Sequence, residues 1–327
     1  MIPYIDMHCD TLMQAYIHQK KDIFDFKESM VDIKRLKEGN CKAQFFAIFM
    51  PPLFLKDKLG EKFPKDDEYI RDNLEIFHHS IKTAPEFFAG TSTVKELEEN
   101  DRQGKISGIL TLEDGRAVEG KMERLEKFYN QGIRLISLTW NEENCFGSPN
   151  SFERSVMEKG LSNFGKEAVE EMNRLGILID VSHLSDAGFW DTFQYTTKPF
   201  VASHSNCRSL NPHPRSMSDE MIRALAEKGG VIGINFSPKF LIADLSNQES
   251  KVAYLIAQIK HMKKIGGIDC VALGSDFDGI KGTFEIGSSD KIPILFHSLK
   301  KEGFTSGEIE KIALRNIQRV VREVWKS

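Results

Sequence analysis

No apolar run in this chain approaches the ~18 residues of a membrane-spanning helix. Cysteine is scarce and badly placed for stapling: five residues, at 9, 41, 145, 207 and 270. None forms a Cys-x-x-Cys pair and the number is odd, so a disulfide framework is not expected and a reducing cytoplasm fits. Neither sign of charge dominates. With 44 Lys and Arg against 48 Asp and Glu, the formal net charge is −4, which excludes the basic footprint of a nucleic-acid binder or a protein drawn to an anionic membrane. No linker or low-complexity stretch divides the chain. Pro3-Tyr4-Ile5-Asp6-Met7 reads as a strand from the start, leaving no room for a signal peptide. The C-terminus reads as a charged helix, without the apolar tail of a lipid-anchor signal. The expectation is a protein that is neither secreted, spanning nor anchored.

Short apolar runs alternate with longer amphipathic segments. Eight runs read as strands: Tyr4–Met7, Ala43–Phe49, Ile106–Leu112, Ile133–Thr139, Gly176–Val181, Phe200–Ser203, Val231–Asn235 and Cys270–Gly274. Near-continuous Ile, Val, Leu and Phe suits parallel strands covered on both faces. Helices are expected over Asp66–Thr83, Phe164–Leu175 and Glu249–Ile265. Ser218 before Asp219 and Glu220 reads as an N-cap, and Thr305 with Glu308 as a capping box. Strand then helix, eight times over, predicts an α/β fold of the (β/α)8 TIM-barrel type in a single domain spanning 1–327. The competitor, a doubly wound open sheet, usually carries a Gly-rich phosphate loop after its first strand, where this chain has His8-Cys9-Asp10. Residues 51–65 read as a surface loop. Residues 141–160 and 205–217 are long and irregular and follow strands, which puts them on the active face of a barrel.

The strand ends carry the chemistry. Alternation along the first strand aims His8 and Asp10 the same way, and an imidazole with a carboxylate suits zinc or a similar divalent ion. Alone, a His-x-Asp pair is more often a solvated strand end. Glu113 follows Ile-Leu-Thr-Leu directly and is weak evidence by itself, since helix starts favour acidic groups. His183 and His204 emerge from the fifth and sixth runs at one level. The eighth ends in Ser275-Asp276-Phe277-Asp278, with Asp276 first in line as a general base. Taken together, strands 1, 3, 5, 6 and 8 end in ligand-type residues while 2 and 7 do not, at the face where barrel enzymes assemble active sites.

These motifs resemble the membrane (renal-type) dipeptidase family of the amidohydrolase superfamily, peptidase family M19. The resemblance runs from His8 to the last helix. It rests on the His-x-Asp, the Glu113 strand, Asp180-Val-Ser-His183, Ala202-Ser-His-Ser205 and Gly274-Ser-Asp-Phe-Asp-Gly279. It implies a dipeptidase with two Zn2+ per chain, other divalent metals being the alternative. His8 and Asp10 would hold one ion, His183 and His204 the other, and Glu113 would bridge them in place of the carboxylated lysine of other amidohydrolases. A metal-activated water would attack the peptide bond, with Asp276 as base and then acid. Arg215 would grip the substrate carboxylate by its guanidinium fork. A D-residue at the C-terminal position would be tolerated, and a homodimer is implied because family members commonly form dimers. One departure stands out: mammalian members carry a histidine after the Leu-Thr of strand 4, where this chain has Trp140 and Asn141. Trp140, Asn141 and Asn144 are therefore the candidates for contacting the substrate there.

Two rival readings remain open at this stage. One is another metal-dependent hydrolase acting on a lactam, lactone, cyclic amide or amino-purine. The other is a barrel that binds without turnover, against which stands the full set of metal and base positions. Other residues carry bland expectations: His78 and His79 solvated, His261 at a cation-friendly helix end, Cys9 in the core. His213, between two prolines, lines either the pocket or a turn, and Cys207 has no assigned role.

Overall fold

The computed structural model describes residues 2–244 and 246–326. All eight apolar runs form parallel strands: β1 Tyr4–Asp6, β2 Cys41–Phe49, β3 Ile106–Glu113, β4 Ile133–Ser137, β5 Leu178–Asp180, β6 Val201–Ser205, β7 Val231–Ile234 and β8 Val271–Leu273. Each pairs with the next in sequence, and β8 pairs back to β1 through Leu273 and Asp6, which closes the barrel. The helices Asp66–Thr83 and Asn163–Leu175 lie where the periodicity puts them. Ser218 caps Met221 N, and both bonds of the Thr305–Glu308 capping box are present.

Three details differ from the sequence reading. A short strand, Phe88–Gly90, occupies one edge of β3 over Ile106–Gly108, and β4 takes up pairing only from Leu110 onward. Three residues are too few to show a period. Residues 249–250 form a two-residue ribbon with Thr283–Phe284, so the helix expected from Glu249 begins at Val252. The segment 51–65 is not plain loop: it folds into short helical turns over Leu53–Leu55, Lys56–Leu59 and Gly60–Lys62.

Side chains divide cleanly between two layers. Alternate strand residues such as Phe46, Leu112 and Ile234 pack against the helices. The others, including Ile5, Phe45, Ile109, Leu135 and Val201, fill the barrel interior. The final helix Asn316–Val324 and Trp325 plug the end opposite the site: Val320 and Val324 join the interior cluster, and the Trp325 ring lies against Phe45. Burying each such side chain contributes roughly 1.5–3 kcal/mol, so this plug anchors the C-terminus to the barrel.

Two breaks in strand alternation aim the residues at the mouth. Ile5 and Met7 face the interior, yet Cys9 faces the helices with Tyr4. The phase therefore slips between Met7 and His8, beyond the end of β1, and this slip brings His8 and Asp10 to the mouth. Unbroken alternation would have turned them outward with Tyr4. On β6, Ala202 pairs with Ile232 and Ser205 with Ile234, so β6 spends three residues where β7 spends two. Bulges of this kind re-aim side chains beside active sites. Here the bulge brings both Ser203 and His204 inward and pushes the Ser203 carbonyl into the barrel. Gly233 and Gly274 make the room: a Cβ on Gly274 would stand 2.8 Å from the Ser203 carbonyl carbon, and nearer still to its oxygen.

Candidate metal centre

His8, Asp10, Glu113, His183, His204 and Asp276 converge at the C-terminal ends of the strands. Glu113 sits at the middle. Its Oε2 lies 3.4 Å from His8 Nε2, and its Oε1 lies 3.0 Å from His183 Nε2 and 3.5 Å from His204 Nε2. His8 Nε2 is also 3.6 Å from Asp10 Oδ2 and 3.9 Å from Asp276 Oδ1. Two overlapping triads have ligand atoms close enough to share an ion: His8, Glu113 and His204, and His8, Asp10 and Asp276. Gly279 lets the second triad close, since a Cβ there would stand 2.8 Å from Asp276 Oδ1 and nearer to Asp10 Oδ2. Asp276 and Asp278 both adopt left-handed backbone, with φ of 64° and 71°, a conformation aspartate tolerates better than most residues. The turn divides their tasks. Asp278 accepts from Thr11, Ser29 and Met30 N and ties loop to loop, while Asp276 faces the site.

Neighbouring groups determine which imidazole nitrogens face inward. His204 Nδ1 lies 2.8 Å from Ser203 Oγ, whose own proton goes to Asp180 Oδ2 at 2.6 Å. His183 Nδ1 lies 3.2 Å from Asn141 Oδ1, which can only accept. Both histidines thus carry hydrogen on Nδ1 and present an Nε2 lone pair. The two Nε2 atoms are 3.1 Å apart. Burial holds both well below the ordinary histidine pKa, and the charge of Arg215 adds to the effect. For His8, burial opposes the charged form, but Glu113 and Asp10 outweigh it and hold its pKa well above the ordinary value. Burial pushes Glu113 up to about 8, against His8 and reinforced by Asp10 and Asp276. Asp276 rises to about 6 for the same leading reason.

This arrangement suits a divalent cation. With two lone pairs aimed at it, the buried Glu113 carboxyl either keeps its own proton, as its raised pKa allows, or shares a cation with the imidazoles. Both ring nitrogens of His8 and Oδ1 of Asp10 are buried with no hydrogen-bond partner, which marks groups waiting for a ligand bond. Nitrogen and oxygen donors of this mix are those zinc and similar ions accept.

Arg215 stands beside the histidines. It donates to the Ser182 and His204 carbonyls, its Nη2 lies 3.0 Å from His183 Nε2, and its guanidinium rests on the Phe240 ring. Its Nε is buried without an acceptor, so donor capacity remains. Trp140 packs edge-on against Phe49, with its ring 6.2 Å from that of His183, and forms an apolar wall. Asn144 is elsewhere engaged: both amide hydrogens go to Asp114 and the Leu138 carbonyl, and its oxygen accepts from Phe146 N. Asn141 reaches His183. His213 combines turn and lining, with Nδ1 accepting from Arg215 N and its ring between Phe152 and Phe240. His261 pairs with Asp219 at 2.7 Å, and Cys207 is buried beside Gln258. Sequence reasoning passed over Asn235 at the end of β7, whose amide donates to Asp276 Oδ2 at 2.7 Å. It also passed over Asp180, although a carboxylate inside an apolar run is itself a signal.

A closed parallel barrel with buried histidines and carboxylates gathered at its C-terminal mouth is the layout in which barrel enzymes place a metal-dependent active site. Residues 1–327 match the model of the membrane dipeptidase, peptidase family M19. A dipeptidase from Aspergillus oryzae is 28% identical over 339 residues, covering 99% of this chain and 78% of its own. The solved structure of a metallopeptidase of the same family, dipeptidase AC, superposes with a TM-score of 0.88 at 27% identity, covering 100% of this chain and 99% of that one. A Rhodobacter sphaeroides metallopeptidase, liganded with a phosphinate mimic of the dipeptide L-Ala-D-Ala, gives 0.87 at 26% identity, with 99% of each chain covered. The chain belongs to the membrane dipeptidase family, peptidase family M19, and is a metallo-dipeptidase. Despite the family's name, no helix among the described residues is long and apolar enough to cross a membrane.

Proposed function

We propose that this chain, acting as one catalytic domain in a reducing cytoplasm, hydrolyses the peptide bond of free dipeptides and accepts a D-residue at the C-terminal position. Two Zn2+ ions would serve it. His8 and Asp10 would hold one, His183 and His204 the other, with Glu113 between them. The observation that carries this reading is the pair of Nε2 lone pairs converging with His8 on one buried carboxylate. When bound, the metal supplies an activated water and a positive charge for the carbonyl oxygen.

The remaining work falls to side chains. Asp276 Oδ1 faces His8, while Oδ2 is held by Asn235, so the carboxylate is oriented before substrate arrives. That places it to take the proton of the attacking water and then deliver it to the leaving amine nitrogen. Arg215, with a free buried Nε, takes the substrate's terminal carboxylate, which favours a dipeptide over a longer chain. Trp140 and Phe49, both half-buried, give one side of the site an apolar wall that adds no charge. The related Rhodobacter sphaeroides structure, with its L-Ala-D-Ala mimic, supports the D-residue, and five free cysteines support the compartment.

The test is hydrolysis of L-Ala-D-Ala, L-Ala-L-Ala and N-acetyl-L-Ala-D-Ala by zinc-reconstituted protein. Release of alanine from the two unblocked dipeptides alone is expected. No release from any of the three, with zinc bound, would move the assignment to a lactam, lactone or cyclic amide.

A further inference from the structure

We infer that Asp180 is a positioning residue: acting through Ser203, it holds the His204 imidazole with its Nε2 lone pair toward Glu113. The inference rests on the metal reading above. Asp180 closes β5 inside the barrel and is 1% exposed. Its partners are neutral donors. Oδ1 accepts from Ser182 N at 3.1 Å, Ser182 Oγ at 2.6 Å and Ser203 N at 2.8 Å; Oδ2 accepts from Ser203 Oγ at 2.6 Å and from Ser137 Oγ. Taking a carboxylate out of water is costly even with good hydrogen bonds. An apolar strand ending would avoid that cost; here the carboxylate lies in the field of the buried Arg215 guanidinium, and its hydrogen bonds are left to orient its neighbours.

The polarity of the chain of bonds supplies one. An ionised carboxylate only accepts. Ser203 has one hydroxyl proton, which the carboxylate takes, leaving Ser203 lone pairs toward His204 Nδ1 at 2.8 Å. Nδ1 must then carry the hydrogen and Nε2 the lone pair. Ser182 Oγ also accepts from His204 N at 3.1 Å, so one carboxylate orients both the ring and the backbone of this residue. An asparagine at 180 could donate to Ser203, free the serine proton to turn toward Nδ1, and move the imidazole hydrogen to Nε2, where it blocks ligation. His183 lacks such an arrangement: its Nδ1 depends on Asn141, an exposed residue of the loop after β4. His204 is therefore the internally braced ligand and His183 the loop-braced one.

The test uses the full chain, stripped of metal and titrated with Zn2+ against a chromophoric chelator. His204→Ala identifies the binding step that belongs to this imidazole. Asp180→Asn and Ser203→Ala should each weaken that step by about 10–100-fold, the usual cost of losing an outer partner of a metal-bound histidine. Ser203→Thr, which keeps the hydroxyl, should retain it. Ser137→Ala removes one bond to Asp180 without touching the path and should leave it unchanged. Long-range 1H–15N spectra of the metal-free chain should show His204 Nε2 unprotonated in the wild type and protonated in Asp180→Asn. If Asp180→Asn does not fold, Ser203→Ala carries the test. Wild-type zinc affinity in both variants, or an equal loss in Ser137→Ala, would overturn the relay. Failure of the wild-type chain to bind zinc would overturn the metal reading as well.

Discussion

Replacing Gly274 by alanine should loosen the histidine side of the site without touching a ligand. Gly274 follows β8, and its backbone φ is not in the left-handed region, so what matters is space. The new Cβ would stand 2.8 Å from the Ser203 carbonyl carbon, 3.1 Å from Gly233 Cα, and closest to the Ser203 oxygen. Non-bonded carbons settle at about 3.5 Å or more, so the carbonyl must retreat by roughly 0.7 Å at least. Both obstacles are backbone inside a closed sheet, where no rotamer change can give way. Overpacking of this kind costs about 1–3 kcal/mol. The displaced carbonyl belongs to the residue before His204, so the strain passes into a ring that lies 3.5 Å from Glu113. Misplacing a reacting or ligating group by about 1 Å costs on the order of 100-fold in rate. Gly274→Ala should therefore melt several degrees lower in the metal-free form and turn over a dipeptide about 10–100-fold more slowly. Differential scanning calorimetry and steady-state kinetics on the same preparation read both. A variant with wild-type melting and wild-type kcat/KM would refute the claim that the bulge of β6 is wedged against this glycine.

Asp276→Asn should keep its metal, because the five proposed ligands His8, Asp10, Glu113, His183 and His204 are untouched, yet lose about 10²–10⁴-fold in kcat; normal turnover would remove Asp276 from proton transfer. Arg215→Lys keeps the charge but loses the fork, so KM for dipeptides should rise more than kcat falls, and an unchanged KM would place the carboxylate elsewhere. Metal-stripped protein should lose stability as pH rises from about 6.5 to 8. Glu113, raised to about 8, and His8, held above its ordinary value, both bind more protons folded than unfolded in that window. His183 and His204, both lowered, act oppositely but mainly below their unfolded value near 6.5. A melting temperature that climbs across this window in the metal-free chain would contradict the burial argument, and zinc should flatten the dependence.

The strands were legible because each is an apolar run whose spacing from the next leaves room for one helix, and a hydrophobic pattern is a local property of the chain. The metal-type residues were legible for a similar reason: His8, Glu113 and His204 stand directly after such a run, His183 and Asp276 one serine further on, and the closed barrel gathers strand ends at one mouth. Short elements escaped. Phe88–Gly90 has no period to detect, and its place on the edge of β3 depends on where β4 starts to pair.

What the sequence by itself determined is which residue types stand at the strand ends, and hence the chemistry at hand. Their direction came from tertiary structure alone. The phase slip after Met7 and the extra residue in β6 reverse the alternation that local pattern predicts, because each depends on pairing with a strand distant in sequence. The candidate substrate contacts show the same division. Asn144 looked available in sequence, but the fold draws its amide into Asp114 and the Leu138 carbonyl. Asn235 and Asp180 looked like ordinary polar interruptions, but barrel closure sets one against Asp276 and the other beneath His204. A side chain's identity is written locally; which lone pair it presents is decided by neighbours that only the closed barrel brings within hydrogen-bonding distance.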